Sequence, residues 1–400
     1  MSHQVASSWL RSAPSNARDT QLDGFRGLAI LLVIVFHVPR LDAEGSLAGR
    51  LATLVPSLGF SGVDAFFVLS GFLITRILLR ERHSQRYFRT FWGRRMLRIF
   101  PLYYLVLFLQ LVLLPCFVSG ELFWNASGTR EPLWFWLYLT NFYDGLAGIQ
   151  HHSMLNLTWS LAIEEQFYLL WPLVVRLLSI RRLSQLCLGL VFISFACRCI
   201  GLWAGSHPLL VYELTPMRMD GLAMGGWIAA RSRLQGGTEP LRRIASWMLP
   251  ASAVVLLAVA IPIQIDPFFM SDRPRQILFN PAFQTVGYSA IVLFYGSVLI
   301  WIQGRSPGRG LRGFFELPFL TRLGKYSYAM YLLHLWAIEA VRHWILPVGL
   351  PFALAWLLTL ALSLALLLIA CAWIWRLVEE PALRLRRYFP YDREPTPARL

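Results

Sequence analysis

The chain has 400 residues, of which 56% are hydrophobic and only 15% are charged. Soluble domains carry about 25% charged residues, and the apolar runs here approach about twenty residues, so an ordinary soluble protein is excluded and several membrane spans are indicated. The formal net charge of +15 comes from arginines between the apolar runs, which is typical of loops that set membrane topology and argues against nucleic-acid binding.

The apolar runs, taken in chain order, predict an all-α integral membrane protein with about ten transmembrane helices. Their expected bounds are about 22–40, 58–80, 97–118, 157–178, 185–204, 216–231, 246–264, 283–303, 320–345 and 352–378. The sixth segment is short and rich in glycine. A further apolar stretch, 133–140, is too short to cross a bilayer, so we expect an interfacial or re-entrant piece there.

The distribution of arginines between the apolar runs predicts how the chain is oriented in the membrane. If the N-terminus is cytoplasmic, the inner segments hold 21 arginines and the outer segments hold 5, which predicts that both termini are cytoplasmic. We expect a cytoplasmic tail over 1–21, a transmembrane domain over 22–380 and a cytoplasmic tail over 381–400, with no signal peptide and no appended soluble domain. The five cysteines lie in or beside the apolar runs, so neither disulfides nor a zinc site are expected.

Arg26 and His37 stand at the two ends of an apolar stretch, "RGLAILLVIVFH". Eleven residues on an α-helix turn through about 1,100°, close to three full turns, and rise about 16 Å. Both side chains are therefore predicted on one helix face, with Arg26 near the cytoplasm and His37 in the outer third. Snorkelling explains a lone arginine and a carbonyl bond explains a lone histidine, but ionisable groups within membranes usually have a function.

Other ionisable residues are predicted at a similar depth on separate helices. They are Asp64, Glu164, Glu165, Arg218, Asp220 and His334. A group of this size predicts a shared polar cavity in which the side chains pair with one another or with water. Glu164 and Glu165 point about 100° apart on a helix, so only one of them is expected to face that cavity.

Arg95 and Arg98 are predicted on one helix face at i and i+3, near the cytoplasmic end of the third span. Either arginine alone is ordinary positive-inside charge. Together with Arg26 they indicate a phosphate site, because planar guanidinium groups bind two phosphate oxygens at once. A ligand with a phosphorylated head and a long thin arm, such as coenzyme A, fits this arrangement.

Six sequence blocks resemble the acyltransferase-3 family of integral membrane O-acyltransferases. They are "LDGFRGLAILLVIVFH", "GVDAFFVLSGFLI", Arg95-Met-Leu-Arg98, "TWSLAIEEQFYLLWP", "GKYSYAMYLLH" and "VEEP" at 378–381. The resemblance covers about 20–380. It implies transfer of an acyl group, usually acetyl, from cytoplasmic acyl-CoA to a hydroxyl of an extracytoplasmic or lipid-linked glycan at the bacterial cytoplasmic membrane. It makes Arg26 and His37 the first-helix pair, and Arg95 and Arg98 the pair on the acyl-CoA side.

Acyl transfer to a hydroxyl needs a base, and histidine suits that role near neutral pH, so His37 is predicted to be the base. Asp64 or Glu164 is expected to orient its other nitrogen, with Asp64 preferred on depth. Arg26 is expected to bind the cofactor or to stabilise charge. No metal is expected. Substrate-binding roles are predicted for Trp159, Glu165, Tyr168, Arg218, Asp220 and His334, although Trp159 and Tyr168 fit an interfacial aromatic belt equally well.

Two rival functions remain from the sequence. A secondary transporter also places polar residues at mid-depth in the membrane. Against it, the sequence has no repeated halves and no matched pair of broken helices. A non-catalytic protein that binds lipid-linked sugars is the other alternative.

Overall fold

The computed structural model describes residues 19–38, 54–113, 116, 132–148, 154–234, 237–265, 276–303, 309–345 and 348–391. All regular structure within these ranges is helical, which confirms the all-α prediction. Residues 1–18 of the predicted N-terminal tail, residues 119–131 and 149–153, and residues 392–400 of the predicted C-terminal tail lie outside the described residues.

The helices are numbered here in chain order. They are α1 Thr20–His37, α2 Leu54–Ser57, α3 Gly62–Arg80, α4 Tyr87–Phe108, α5 Leu133–Trp136, α6 Thr140–Ala147, α7 Thr158–Leu177, α8 Ile180–Trp203, α9 Pro208–Glu213, α10 Thr215–Arg218, α11 Asp220–Arg231, α12 Glu239–Ile265, α13 Gln276–Phe279, α14 Tyr288–Gln303, α15 Arg309–Phe315, α16 Pro318–Ile345, α17 Phe352–Ile374 and α18 Glu380–Arg384. A π-helical turn, Trp375–Glu379, joins α17 to α18.

Seven helical segments among the described residues are long and apolar enough to cross a membrane. They are Thr20–His37, Leu58–Arg80, Tyr87–Leu113, Ile180–Trp203, Glu239–Ile263, Phe283–Gln303 and Ala353–Tyr388. Of the ten predicted spans, those at α7, α11 and α16 are missing from this set. The count of ten and the cytoplasmic placement of both termini therefore stay predictions.

The three predicted spans are missing from this set for different reasons. Helices α7 and α16 have 20 and 28 residues, which is enough to span, but they carry several charged side chains. Helix α11 has only 12 residues, which gives about 18 Å against a hydrocarbon core of about 30 Å. The predicted sixth span at 216–231 is thus a pair of short helices, α10 and α11, and not one continuous crossing helix.

Two helix ends near the predicted site differ from expectation. Helix α1 ends at His37, because Val38 is already extended, whereas the sequence predicted helix to residue 40. Helix α4 begins at Tyr87 and not at 97, so Arg95 and Arg98 lie well inside the helix. The one-turn helix α5 confirms that the 133–140 stretch is too short to span; its interfacial position stays a prediction.

Helix α1 lies inside the bundle and packs closely against α16. Its residues Ile30, Val33 and Ile34 are fully buried. A Cβ atom on Gly27 would lie 1.9 Å from the Leu320 carbonyl oxygen, so only glycine permits this approach of the two backbones. This contact sets the rotation and the depth of α1 against α16, and both helices contribute to the site described next.

Candidate active site

An open cavity of about 120 Å³ lies between α1, α3, α4, α7 and α16. Arg26, Arg95 and Arg98 line one end of it, and Ser160 and Tyr331 line the other. The residues between these ends include Phe66, Phe67, Ser70, Glu164, Tyr168, Ser327 and Tyr328. Ser160 and Tyr168 are eight residues apart on α7, which corresponds to about 12 Å along the helix axis. The cavity is long enough for an extended ligand.

The three arginines at the first end differ in their partners. Arg98 donates from Nη1 to Oε2 of the buried Glu379 over 2.8 Å. Arg26 lies 3.4 Å from the Asp23 carboxylate, a weak contact. The Arg95 guanidinium lies 5.7 Å from the centre of the Tyr168 ring. Within the described residues Arg95 has no carboxylate partner, so its donors are free for an anion.

Glu164 is the carboxylate that lines this cavity. Its Oε1 accepts a hydrogen bond from Ser70 over 3.0 Å, and its Oε2 accepts one from the Tyr168 hydroxyl over 2.7 Å. Glu165 does not line the cavity, as the angle of about 100° between successive helical residues requires. Its Oε1 is buried and has no hydrogen-bond partner in the described part of the chain.

His37 and His334 form a pair at the C-terminal end of α1. The Nε2 atom of His334 lies 3.3 Å from Nδ1 of His37, and the ring centres are 4.8 Å apart. Nδ1 of His37 also lies 2.8 Å from the Val33 carbonyl oxygen. Nδ1 of His334 lies 2.7 Å from the carbonyl oxygen of Tyr331, a residue that lines the cavity. The histidine pair thus adjoins the cavity without lining it.

A third cluster consists of two buried ion pairs. Arg218 donates to Oδ1 of Asp64 over 2.9 Å, and Arg198 donates to Oδ2 of Asp220 over 2.7 Å. All four side chains are at most 2% exposed. The Arg218 guanidinium lies 4.2 Å from the centre of the Tyr288 ring. These pairs hold α3, α8, α10, α11 and α14 together, and none of the four residues lines the cavity.

Comparison with known proteins assigns the chain to a protein family. A family model described as an acyltransferase domain matches residues 19–376. The chain belongs to the acyltransferase-3 family. No solved structure matches it.

Relatives within the acyltransferase-3 family include three bacterial proteins. The chain is 31% identical over 329 residues to the peptidoglycan O-acetyltransferase OatA of Listeria monocytogenes, covering 78% of this chain and 48% of that protein. It is 31% identical over 340 residues to the putative peptidoglycan O-acetyltransferase YrhL of Bacillus subtilis, covering 78% and 47%. It is 28% identical over 330 residues to the O-acetyltransferase OatA of Staphylococcus aureus, covering 78% and 49%. The chain thus spans about half the length of these relatives.

The carboxylate expected beside the histidine of this acyltransferase-3 chain is not found there. We predicted that Asp64 or Glu164 would orient the second nitrogen of His37. In the structure Asp64 pairs with Arg218, and Glu164 binds Ser70 and Tyr168. Nδ1 of His37 instead contacts a backbone carbonyl and a second histidine. The expectation was wrong because sequence depth does not define the rotation of one helix against another.

The expectation that these residues share one polar cavity at a single depth was also wrong. The predicted residues separate into the arginine-lined cavity, the histidine pair and the buried ion pairs. Of those predicted to bind substrate, only Tyr168 lines the cavity. Trp159 is 5% exposed and packs against Phe67 and Tyr212, so it lies in the protein core and not in an accessible sugar site.

Several residues of the site carried too weak a signal in the sequence. Ser70, Ser160 and Tyr331 are polar but uncharged, so nothing separates them from ordinary helix residues until the cavity is seen. Arg198 could have been found, because it is an arginine within the predicted span 185–204, where a charge needs a partner. Among the described residues, no group of three or more His, Cys, Asp or Glu side chains could hold a metal ion.

Proposed function

We propose that this protein transfers an acetyl group from cytoplasmic acetyl-CoA to a hydroxyl of an extracytoplasmic or lipid-linked glycan. The observation that carries the proposal is the convergence of Arg26, Arg95 and Arg98 on one cavity next to the histidine pair. The names of the relatives favour acetyl as the acyl group and peptidoglycan as the acceptor. The site of action would be the bacterial cytoplasmic membrane.

The arginines would bind the phosphates of the donor. Guanidinium groups pair with phosphate oxygens through two parallel hydrogen bonds, and Arg95 lines the cavity without forming an ion pair among the described residues. The pantetheine arm would then lie along the cavity toward Tyr331. Eleven residues of helix separate Arg26 from His37, which is about 16 Å, so Arg26 is too far from the base to stabilise the reacting carbonyl and serves the donor instead.

His37 would act as the general base. Its Nδ1 faces the Val33 carbonyl, so Nε2 is the nitrogen available to take a proton. The acceptor oxygen attacks the thioester carbon and gives its proton to Nε2. The carbon–sulfur bond then breaks, and the proton passes to the leaving sulfur. The hydroxyls of Ser160 and Tyr331, at the cavity end next to the histidines, would donate hydrogen bonds to the oxyanion.

Donor binding would have to open the contact between two hydroxyls. The Ser160 and Tyr331 hydroxyls lie 2.5 Å apart, and Tyr331 also donates to the Leu157 carbonyl over 3.1 Å. Tyr331 connects the two sites, because its side chain lines the cavity and its backbone carbonyl contacts His334. Such hydrogen bonds contribute only about 0.5–1.5 kcal/mol net, so a ligand that offers replacement hydrogen bonds can displace them.

The test is acetyl transfer by the purified protein in lipid nanodiscs, with radiolabelled acetyl-CoA and soluble peptidoglycan fragments. We expect transfer by the wild type and by the matched control Gly189→Ala, whose added Cβ meets no atom within 4 Å. His37→Ala should bind acetyl-CoA and transfer nothing. Transfer by His37→Ala within a few-fold of wild type would remove His37 from the base role. Glycan movement across vesicles without acetylation would support a transporter instead.

A further inference from the structure

His334 has two defined contacts and no role in the reaction as described so far. It lies on α16, is fully buried and contacts the Tyr331 carbonyl through Nδ1. Its Nε2 faces Nδ1 of His37 at 3.3 Å. The carbonyl contact satisfies only Nδ1, so Nε2 of this fully buried ring still needs a hydrogen-bond donor. Among the described residues, His37 is the group placed to supply one.

The carbonyl contacts define where the protons are. A carbonyl oxygen only accepts, so Nδ1 must carry the proton in both histidines. In the neutral pair, Nε2 of His334 is therefore unprotonated, and its lone pair accepts from the Nδ1–H of His37. That N–H is shared between the Val33 oxygen and the His334 nitrogen. Nε2 of His37 is left without a proton, as a base requires.

We propose that His334 is a positioning residue for His37. It holds His37 in the tautomer with a proton on Nδ1, and it stabilises the positive charge that arises when Nε2 takes the acceptor's proton. In serine hydrolases a carboxylate orients the catalytic histidine and stabilises its positive charge. In this protein the neutral imidazole of His334, on a neighbouring helix, would perform both functions. The proposal rests on the proposed function, since it assumes that His37 is the base.

The environment favours a neutral partner. His334 is fully buried and His37 is half-buried, so a carboxylate in place of His334 would carry a large desolvation penalty whenever His37 is uncharged. A neutral acceptor has a smaller penalty in that state and still interacts favourably with the imidazolium. The glycine contact between α1 and α16 holds the two rings in register, since Gly27 and the Leu320 carbonyl fix the spacing of these helices.

Two amide substitutions of His334 distinguish a positioning role from simple core packing. In His334→Gln the side-chain oxygen can reach the place of Nε2, so an acceptor for His37 remains. In His334→Asn the shorter side chain reaches only the place of Nδ1, so the acceptor is lost while polarity and burial are kept. Each variant is measured in nanodiscs for kcat and KM with acetyl-CoA and peptidoglycan fragments, for thermal stability, and by histidine-selective nitrogen NMR for the tautomer of His37.

We expect kcat of His334→Asn to fall by about 100-fold or more, with KM for acetyl-CoA changed by less than about twofold. His334→Gln should recover at least about tenfold of that loss. The NMR should show Nδ1-protonated His37 in the wild type and in His334→Gln, and a mixture of tautomers in His334→Asn. Equal kcat in the two variants, or a His37 tautomer that neither variant changes, would overturn the proposal.

The NMR measurement also separates this inference from the proposed function. If the wild type transfers no acetyl group, the proposed function fails, whereas the tautomer of His37 still reports directly on its coupling to His334. If the wild type is active and His334→Asn loses activity only in proportion to its loss of folded protein, His334 is a packing residue and the inference fails alone.

Discussion

At the scale of single residues, the two arginines of α4 differ in what they already contact. Arg98 is paired with the buried Glu379, while Arg95 faces the Tyr168 ring and has no carboxylate partner in the described ranges. The sequence treats them as equals, because both belong to one i, i+3 pattern. In the structure both arginines line the cavity, but only Arg98 also forms an ion pair, with Glu379 in the π-helical turn after α17. We therefore propose that Arg95 serves mainly ligand binding and that Arg98 serves both ligand binding and this link.

We predict that Arg95→Ala mainly weakens acetyl-CoA binding. A lost charge-assisted hydrogen bond costs about 1.5–3 kcal/mol, which corresponds to a rise in Kd of roughly 10- to 150-fold. Thermal stability should change little. Arg95→Lys should recover only some of the affinity, because an ammonium lacks the planar fork. Binding isotherms in nanodiscs measure this, and wild-type affinity in Arg95→Ala would contradict the assignment.

Arg98→Ala should weaken binding and also destabilise the protein, because it leaves the Glu379 carboxylate, only 2% exposed, without its partner. Removing one member of a buried pair costs about 3–5 kcal/mol. The double variant Arg98→Ala with Glu379→Gln should regain stability without regaining affinity. Thermal unfolding and acetyl-CoA titration on the same samples separate the two effects. A double variant as unstable as Arg98→Ala would show that the pair is not the cause.

At the scale of helices, buried ion pairs and a glycine contact join α3, which lines the cavity, to helices that do not line it. Asp64 on α3 pairs with Arg218 on α10, and Arg198 on α8 pairs with Asp220 on α11. A Cβ on Gly225 of α11 would lie 2.0 Å from the Val68 carbonyl oxygen of α3. Helix α11 is therefore held both by charge and by close backbone contact.

Asp64→Ala tests whether this carboxylate is structural or catalytic. We expect a loss of about 3–5 kcal/mol in stability, since Arg218 stays buried without a counter-charge. Acetyl transfer per folded molecule should stay within a few-fold of wild type. The measurements are unfolding in detergent and activity normalised to folded protein. A complete loss of transfer in folded Asp64→Ala would restore the catalytic role that its sequence position suggested.

Gly225→Ala and Gly189→Ala form a matched pair of helix substitutions. The first places a methyl group against the Val68 backbone and should lower the melting temperature by several degrees. The second meets no atom within 4 Å. It should be neutral or slightly stabilising, because alanine exceeds glycine in helix propensity by up to about 1 kcal/mol. Equal melting temperatures would show that α3 and α11 are not in close contact.

At the scale of the whole molecule, the apolar segments differ widely in how much of each is buried inside the protein. Buried residues make up 22%, 17% and 22% of the apolar windows in α8, α12 and the α17 segment, but 72% in the α3 segment. Helices α7 and α16, which supply Glu164, Tyr331 and His334, are not among the segments apolar enough to span. Glu164 lines the interior cavity and His334 is fully buried, whereas Arg176 on α7 and Arg322 on α16 are exposed. Polar residues of both kinds lower the apolarity of these two helices, although the interior ones do not contact lipid.

The topology can be tested by cysteine labelling in a Cys116→Ser background. Gln85→Cys lies between α3 and α4 and should react with a membrane-impermeant maleimide only in inverted vesicles. Ala147→Cys, at the end of α6, should react only in intact spheroplasts. Labelling of both sites from one side would contradict the arginine-based orientation, and with it the placement of the arginine end of the cavity toward the cytoplasm.

The sequence alone determined the features that depend on composition and on helix periodicity. Apolar run length predicted a helical membrane protein, and the rise and turn of a helix placed Arg26 and His37 on one face. The same periodicity placed Arg95 and Arg98 together and separated Glu164 from Glu165. Each of these inferences uses only positions within one helix, where the geometry is nearly invariant.

Only the tertiary structure decided which side chains meet between helices. Asp64 was expected at His37 and pairs with Arg218, while His334 was expected at the substrate and contacts His37. The partner of a side chain depends on the rotation, tilt and depth of its helix against the next. Those quantities are determined by contacts such as Gly27 against the Leu320 carbonyl, and a rotation of one residue, about 100°, is enough to exchange one partner for another.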